Sequence, residues 1–394
     1  MTRSPRSRPS AAAILGCLTL LTIGWTGLLV PSAIRSIEAT FAQSDAGIGL
    51  IYLLYSGAYA AGSFGGGPLT ERIGRRRVLV AASILHGLGI ASFGLAPTWG
   101  LFVASAALAG LGGGGLDGGS NGLYLDLFRT GRGRAMNLLH LFFSVGALSA
   151  PLVVGALIEG GVAWQSVFVG SALAPLGLAA WYAVAAMPSG RATHPSSQSG
   201  ADGAARSRPL PSGLGLPIAL LAVAMATYVA SEVGVSSWLV RFLEPAPLST
   251  ATLGLSLFWG GLALGRLVSS AIADRFDHVH FTTACAVLLS VALIGAIVVP
   301  WLPVSIALFA LCGAASGPIF PMVQAIGGER YVDRSAAVSS LLTGFGVLGG
   351  TLYPSLMGVL SVTVGLTAAM FGNVVLGFAC AASLYAFGRV RGRD

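Results

Sequence analysis

The sequence predicts an all-α integral membrane protein of twelve transmembrane helices, built as two pseudo-symmetric six-helix bundles. Three observations carry this. The 394 residues are 55% hydrophobic and only 9% charged, with mean hydropathy +0.81, whereas about one quarter of a soluble domain is charged. So few charges cannot cover a water-facing surface, and lipid must be the main solvent. Apolar runs of roughly 20 residues, each long enough to cross a bilayer as a helix, recur along the whole chain. Finally, landmarks of the first half return at an offset of 203 residues: Gly62 with Gly265, Glu71-Arg72 with Asp274-Arg275, and Gly146 and Pro151 with Gly349 and Pro354. A fixed offset shared by separate landmarks implies two fused copies of one membrane module.

The spans are read, in order, at residues 11–31, 48–69, 78–97, 100–126, 135–158, 165–187, 214–240, 250–273, 281–300, 303–327, 336–359 and 364–388. They are helices by length, since a barrel strand needs only about 9–11 residues. The basic segment before span 1 imitates a secretory signal, but its apolar run is too long for one and eleven more spans follow. A stretch rich in Ser, Gly, Pro and Ala at 188–213 cannot bury a core and reads as a flexible cytoplasmic linker. It separates an N-terminal bundle (1–187) from a C-terminal bundle (214–394). Both bundles start on the same side, so they are parallel repeats.

All 22 basic residues are arginine. With no lysine there is no Walker A motif, so the chain is not its own ATPase. The arginines are scattered over short loops and form no nucleic-acid face. With the N-terminus inside, 19 fall on inner segments, Arg35 and Arg241 fall outside, and Arg266 lies within a span. The positive-inside rule then places both termini in the cytoplasm of a cell that carries this protein in its plasma or inner membrane. Cys17, Cys285, Cys312 and Cys380 all fall in predicted helices and read as packing residues rather than disulfide partners. No cofactor or metal is implied, and the buried polar groups form no nucleophile–base pair, so an enzyme is not expected.

Between spans 2 and 3 lies Gly67-Pro-Leu-Thr-Glu71-Arg72-Ile-Gly74-Arg75-Arg-Arg77, four arginines and one acid in a tight loop. This segment resembles the signature between helices 2 and 3 of the major facilitator superfamily, and the twelve-helix plan and central linker are similar too. The departures are Glu71 where the family usually has aspartate, and the absence of the Gly and Arg cluster after Asp274-Arg275. Glu71 can pair with nearby arginines or face the N-terminus of span 11. On that reading Glu71, Arg72, Gly74, Arg75, Asp274 and Arg275 form a cytoplasmic gate; on the other, the arginines only fix topology.

Charges at membrane depth are costly and each is a functional candidate. Asp117 and Asn121 in span 4 share a helix face, and burial disfavours the charged form of an acid, suiting Asp117 to take up and release a proton; the alternative is a structural hydrogen bond. Glu232 in span 7, flanked at four residues by Tyr228 and Ser236, is a second buried acid that serves the cavity or is linked to Arg266. His140 is a relay candidate, while His86 reads as structural. Tyr55 and Tyr59 share a stripe with Tyr52 and offer ring faces with hydroxyls to a polar solute, with packing as the alternative. Trp238 reads as an interfacial anchor, and Gln324 in span 10 as one polar contact to substrate. The glycines at 110, 112–115, 118, 119 and 122 serve close helix packing.

Asp117-Gly-Gly-Ser-Asn121 resembles the Glu/Asp-x-x-x-Asn of helix 4 in the fucose–galactose–glucose:proton symporters, as the run Met136 to Ala147 resembles their helix 5. The resemblance implies proton and substrate contacts at Asp117 and Asn121. Helix 1 here has no acid, and Phe143 replaces a polar amide. The run Gly146 to Pro151 is also similar to the helix 5 signature of antiporters. The expected function is therefore proton-coupled uptake of a small polar solute such as a sugar, by a chain able to work as a monomer. The alternatives are a proton-driven exporter of drugs or metabolites, and a membrane sensor that moves nothing.

Overall fold

The computed structural model describes residues 11–128, 132–185 and 215–391. The linker at 188–213 lies outside the described residues, as do Arg129 and the chain ends. Fourteen α-helices occur among the described residues, with no strand. In the first half they are α1 (Ala11–Gly27), α2 (Leu29–Phe41), α3 (Asp45–Ile73), α4 (Arg75–Leu95), α5 (Trp99–Leu127), α6 (Arg132–Glu159) and α7 (Trp164–Val184). The second half holds α8 (Gly215–Phe242), α9 (Leu248–Ile272), α10 (His278–Val298), α11 (Leu302–Ser316), α12 (Ile319–Arg330), α13 (Ser335–Val364) and α14 (Leu366–Arg391).

Two pairs are single spans with a break. The α1–α2 span is interrupted at Leu28, whose N–H falls back on the Trp25 carbonyl. Pro31 does not end the helix, because it sits in the first turn of α2, where a missing N–H costs little. Span 1 therefore runs to Phe41, ten residues beyond its predicted end, and carries Arg35 and Glu38 into the folded structure. The α11–α12 span breaks at Gly317-Pro318. Among the described residues eleven spans are long and apolar enough to cross a membrane; α3, 29 residues rich in glycine and tyrosine, makes the twelfth. The fold is thus an all-α multi-pass membrane protein.

Within the first half α3, α4 and α5 pack together, α7 against α4, and α6 against α1; in the second, α13 and α14 flank α8, α11 lies on α9, and α10 joins α11 and α14. The halves meet along α3 with α13, α6 with α9, and α2 with α8. The repeat is written into the packing. An added Cβ would strike the Tyr55 carbonyl from Gly110, the Tyr59 carbonyl from Gly114 and the Leu111 carbonyl from Gly62. Shifted by 203, Gly313 meets the Phe258 carbonyl, Gly317 that of Leu262 and Gly265 that of Ala314. The same glycines hold the same helix pair backbone to backbone in both halves.

Candidate functional site

The glycine face of α5 determines what surrounds Asp117. With Gly110, Gly114 and Gly118 against the carbonyls of Tyr55, Tyr59 and Ser63, α3 lies flush on α5. That contact brings the Tyr59 hydroxyl within reach of the Asp117 carboxylate and sets the Tyr55 and Tyr59 rings 6.1 Å apart. One turn along α5, Asn121 donates from Nδ2 to Asp117 Oδ1 at 2.9 Å, leaving its own buried Oδ1 without a protein partner. Both hydrogen-bond donors come from the same half as the acid.

Across the interface, α6 and α9 run antiparallel. Gly155 meets Thr252, Leu148 meets Gly260, and the Phe143 and Trp259 rings are 5.9 Å apart. Continuing that register brings His140 opposite Arg266, two helical turns beyond Trp259 on the same face of α9. His140 interacts electrostatically with both Asp117 and Arg266, and Arg266 with Glu232, whose carboxylate accepts from the Tyr228 hydroxyl. The order Asp117, His140, Arg266, Glu232 thus links the bundles through the middle of the molecule. The rise of a helix puts Glu232 about 15 Å from the far end of α8, whereas Arg266 and Asp117 lie about 27 Å from the far ends of theirs. Asp117 and Arg266 therefore share one depth, and Glu232 stands about 12 Å nearer the far end.

Other expected site residues have different surroundings. Ser236 is buried, and its hydroxyl accepts from the Trp259 indole at 2.9 Å, so it fixes a ring in the interface. Gln324 donates to Thr343 Oγ1 at 2.9 Å, joining α12 to α13, while its Oε1 is buried without a partner. His86 is wholly buried and satisfied on both nitrogens, at 2.8 Å from Thr26 Oγ1 and 2.8 Å from the Ala109 carbonyl. Trp238 is not an interfacial anchor: it is wholly buried and donates to the Pro354 carbonyl at 2.8 Å. His278 and His280 make separate contacts, with Glu329 and Asp277, and no metal-binding cluster occurs among the described residues.

At the end where α1 begins and α14 finishes, Gly74 turns the chain from α3 into α4 with φ +88, a left-handed conformation that suits glycine. Arg75 pairs with Asp126 at 2.6 Å, and Arg76 donates to the Ala185 carbonyl at 2.7 Å. Both contacts stay within the first half. Glu71 and Arg72 are exposed and make no hydrogen bond or ion pair among the described residues. Arg275 is likewise exposed, and the side chain of Asp274 lies outside the described ones.

The halves are joined at the opposite end, by residues that sequence reasoning missed. Arg241, at the end of α8, reaches Glu38 and Asp45 at 3.0 Å each and also pairs with Glu244. Ser361 of α13 donates to Asp45. Arg35 of α2 donates to the carbonyls of Val240 and Ala246, capping α8 where helix carbonyls lack partners and cations are favoured. Below them Tyr52 donates to the Ser237 carbonyl at 2.9 Å and packs edge-on against Trp238. The hydrogen bonds and ion pairs that join the halves among the described residues cluster at this end. The molecule is closed at the end opposite the start of α1 and the end of α14, with Asp117 below the closure.

Comparison with known proteins agrees with this architecture. A glucose/galactose transporter of Brucella abortus biovar 1 (strain 9-941) is 25% identical over 394 residues, covering 92% of this chain and 90% of that one. A bacterial homolog of the human lysosomal transporter Spinster, in an inward-facing and occupied conformation, superposes with TM-score 0.78 at 17% identity, covering 97% of this chain and 98% of that one. The E. coli fucose:proton symporter superposes with TM-score 0.63 at 18% identity, over 97% and 98% of the two chains. The model of the Major Facilitator Superfamily matches residues 13–326 and 212–393, and the chain belongs to that family of membrane transporters.

Proposed function

We propose that this chain is a proton-coupled secondary transporter that takes up a small polar solute by alternating access. A hexose is the first candidate, by analogy with the glucose/galactose transporter. The observation that carries the reading is Asp117, held by Asn121 and Tyr59 and facing His140 across the interior of a membrane protein. An acid so placed can load a proton on one side and release it on the other, while Tyr55 and Tyr59 offer ring faces beside it. The residues 1–187 and 214–394 act as the two moving bodies, with 188–213 as their tether. The termini lie in the cytoplasm, so the closed end faces outward. Each chain holds both halves of the path and works as a monomer.

The test is pH change in lightly buffered proteoliposomes on adding a panel of sugars, drugs and amino acids. External alkalinisation with a sugar, reduced at least about 100-fold in Asp117→Asn, is expected for proton transfer through a single essential group. Unchanged coupling in Asp117→Asn would sink the assignment. Proton movement with a cationic drug instead would make the chain an exporter.

A further inference from the structure

Arg266 is a cation at membrane depth whose hydrogen-bonding capacity is almost unused. Its Nε donates to the Gly317 carbonyl at 3.4 Å, a long contact. Its two terminal nitrogens have no hydrogen-bond partner among the described residues, and neither is sealed from solvent. They therefore face open space. That space is not the lipid, because Leu264, Leu267 and Val268 take the outward face of α9, whereas Arg266 shares the face of Trp259 toward α6.

The surrounding groups leave the charge unanswered. Glu232 of α8 is within electrostatic range but makes no ion pair with Arg266 and instead accepts from Tyr228. Asp117 of α5 is held by Asn121 and Tyr59. His140 of α6 adds a second basic group on the facing side. A guanidinium is costly at membrane depth and ordinarily pairs or lines a cavity, and its planar fork matches a carboxylate bidentately.

We propose that Arg266 is the anchor for a carboxylate on the transported solute, so that the substrate is a small hydroxylated organic acid rather than a neutral sugar. This rests on the carrier reading and replaces its neutral hexose with a hydroxylated acid. One carboxylate on Arg266 and one proton on Asp117 together add no net charge, so the cycle is electroneutral. A neutral sugar moving with one proton would carry one positive charge.

Binding separates the two readings, because it needs no flux. The full-length protein is titrated in detergent, by tryptophan fluorescence, with matched pairs that differ at the carboxylate: glucuronate against glucose, and hydroxy acids and hydroxybenzoates against their amides at equal ionic strength. At least one carboxylate is expected to bind about 10-fold or more tightly than its neutral partner. Arg266→Gln should remove that preference, and Arg266→Lys should keep part of it. If no carboxylate is preferred, or if Arg266→Gln leaves the preference intact, the proposal is overturned. A folding defect in Arg266→Gln is recognised by lost binding of the neutral partner, and Arg266→Lys then decides. In proteoliposomes, an inside-negative potassium diffusion potential should leave uptake of the preferred acid unchanged within about 2-fold; a clear acceleration would refute electroneutrality. Carboxylate preference with no flux of any solute would keep the anion site and remove the carrier reading.

Discussion

Asp117 and Asn121 show how far a spacing can be read. Four residues apart on one helix, they share a face, and the hydrogen bond between them follows from that geometry. Tyr59 joins them only because α5 is glycine-lined, which the sequence displays as composition but not as a partner. Ser236 and Gln324 were legible as polar groups in spans, yet their hydroxyl and amide engage Trp259 and Thr343; the break at Gly317-Pro318 sets the facing of α12, and periodicity does not carry across it. Glu71 is exposed in this conformation and makes no hydrogen bond or ion pair among the described residues. If it gates the cytoplasmic side in the opposite state, Glu71→Ala should slow turnover about 2- to 5-fold, the scale of a charge–helix-end contact, without changing solute affinity. Equal turnover in a proteoliposome flux assay would leave the loop with topology alone.

The closure between α2, α3, α8 and α13 belongs to the scale of elements. It was invisible in the sequence for two reasons. Glu38 and Arg35 lie beyond the predicted end of span 1, and their partners are about 200 residues away, at helix ends where charge is ordinary. Arg241 is its hub. Removing its charge deletes contacts to Glu38, Asp45 and Glu244, and charged hydrogen bonds contribute about 1.5–3 kcal/mol each. Even one such loss changes a two-state ratio about 10- to 100-fold. Arg241→Gln should therefore speed modification of a single cysteine at Ser237, buried beneath the closure, by an impermeant thiol reagent added outside, by about 10-fold or more. An unchanged rate would mean that Tyr52, Trp238 and the α3–α13 contact hold this end closed without the ion pairs.

At the scale of the whole molecule, the number of spans and the two-fold repeat were readable, because lipid imposes a fixed length on each span and duplication leaves a fixed offset. The proposed orientation rests on arginine placement alone. A cysteine introduced between residues 188 and 213 should be labelled only after the membrane is permeabilised; labelling in intact cells would invert the assignment. Which end is closed was not readable, since a transporter's sequence specifies both states and one structure holds one of them.

The glycine contacts at 62, 110 and 114 and their counterparts at 265, 313 and 317 have a consequence for how this chain tolerates change. At all six positions, any side chain meets a backbone carbonyl of the neighbouring helix, which cannot rotate away. The two halves carry different buried charges, Asp117 and His140 in the first and Glu232 and Arg266 in the second, yet here they answer to one steric rule. Each bundle can therefore hold its own chemistry on the faces that look away from this seam, while along the seam itself the backbones leave no room for a side chain.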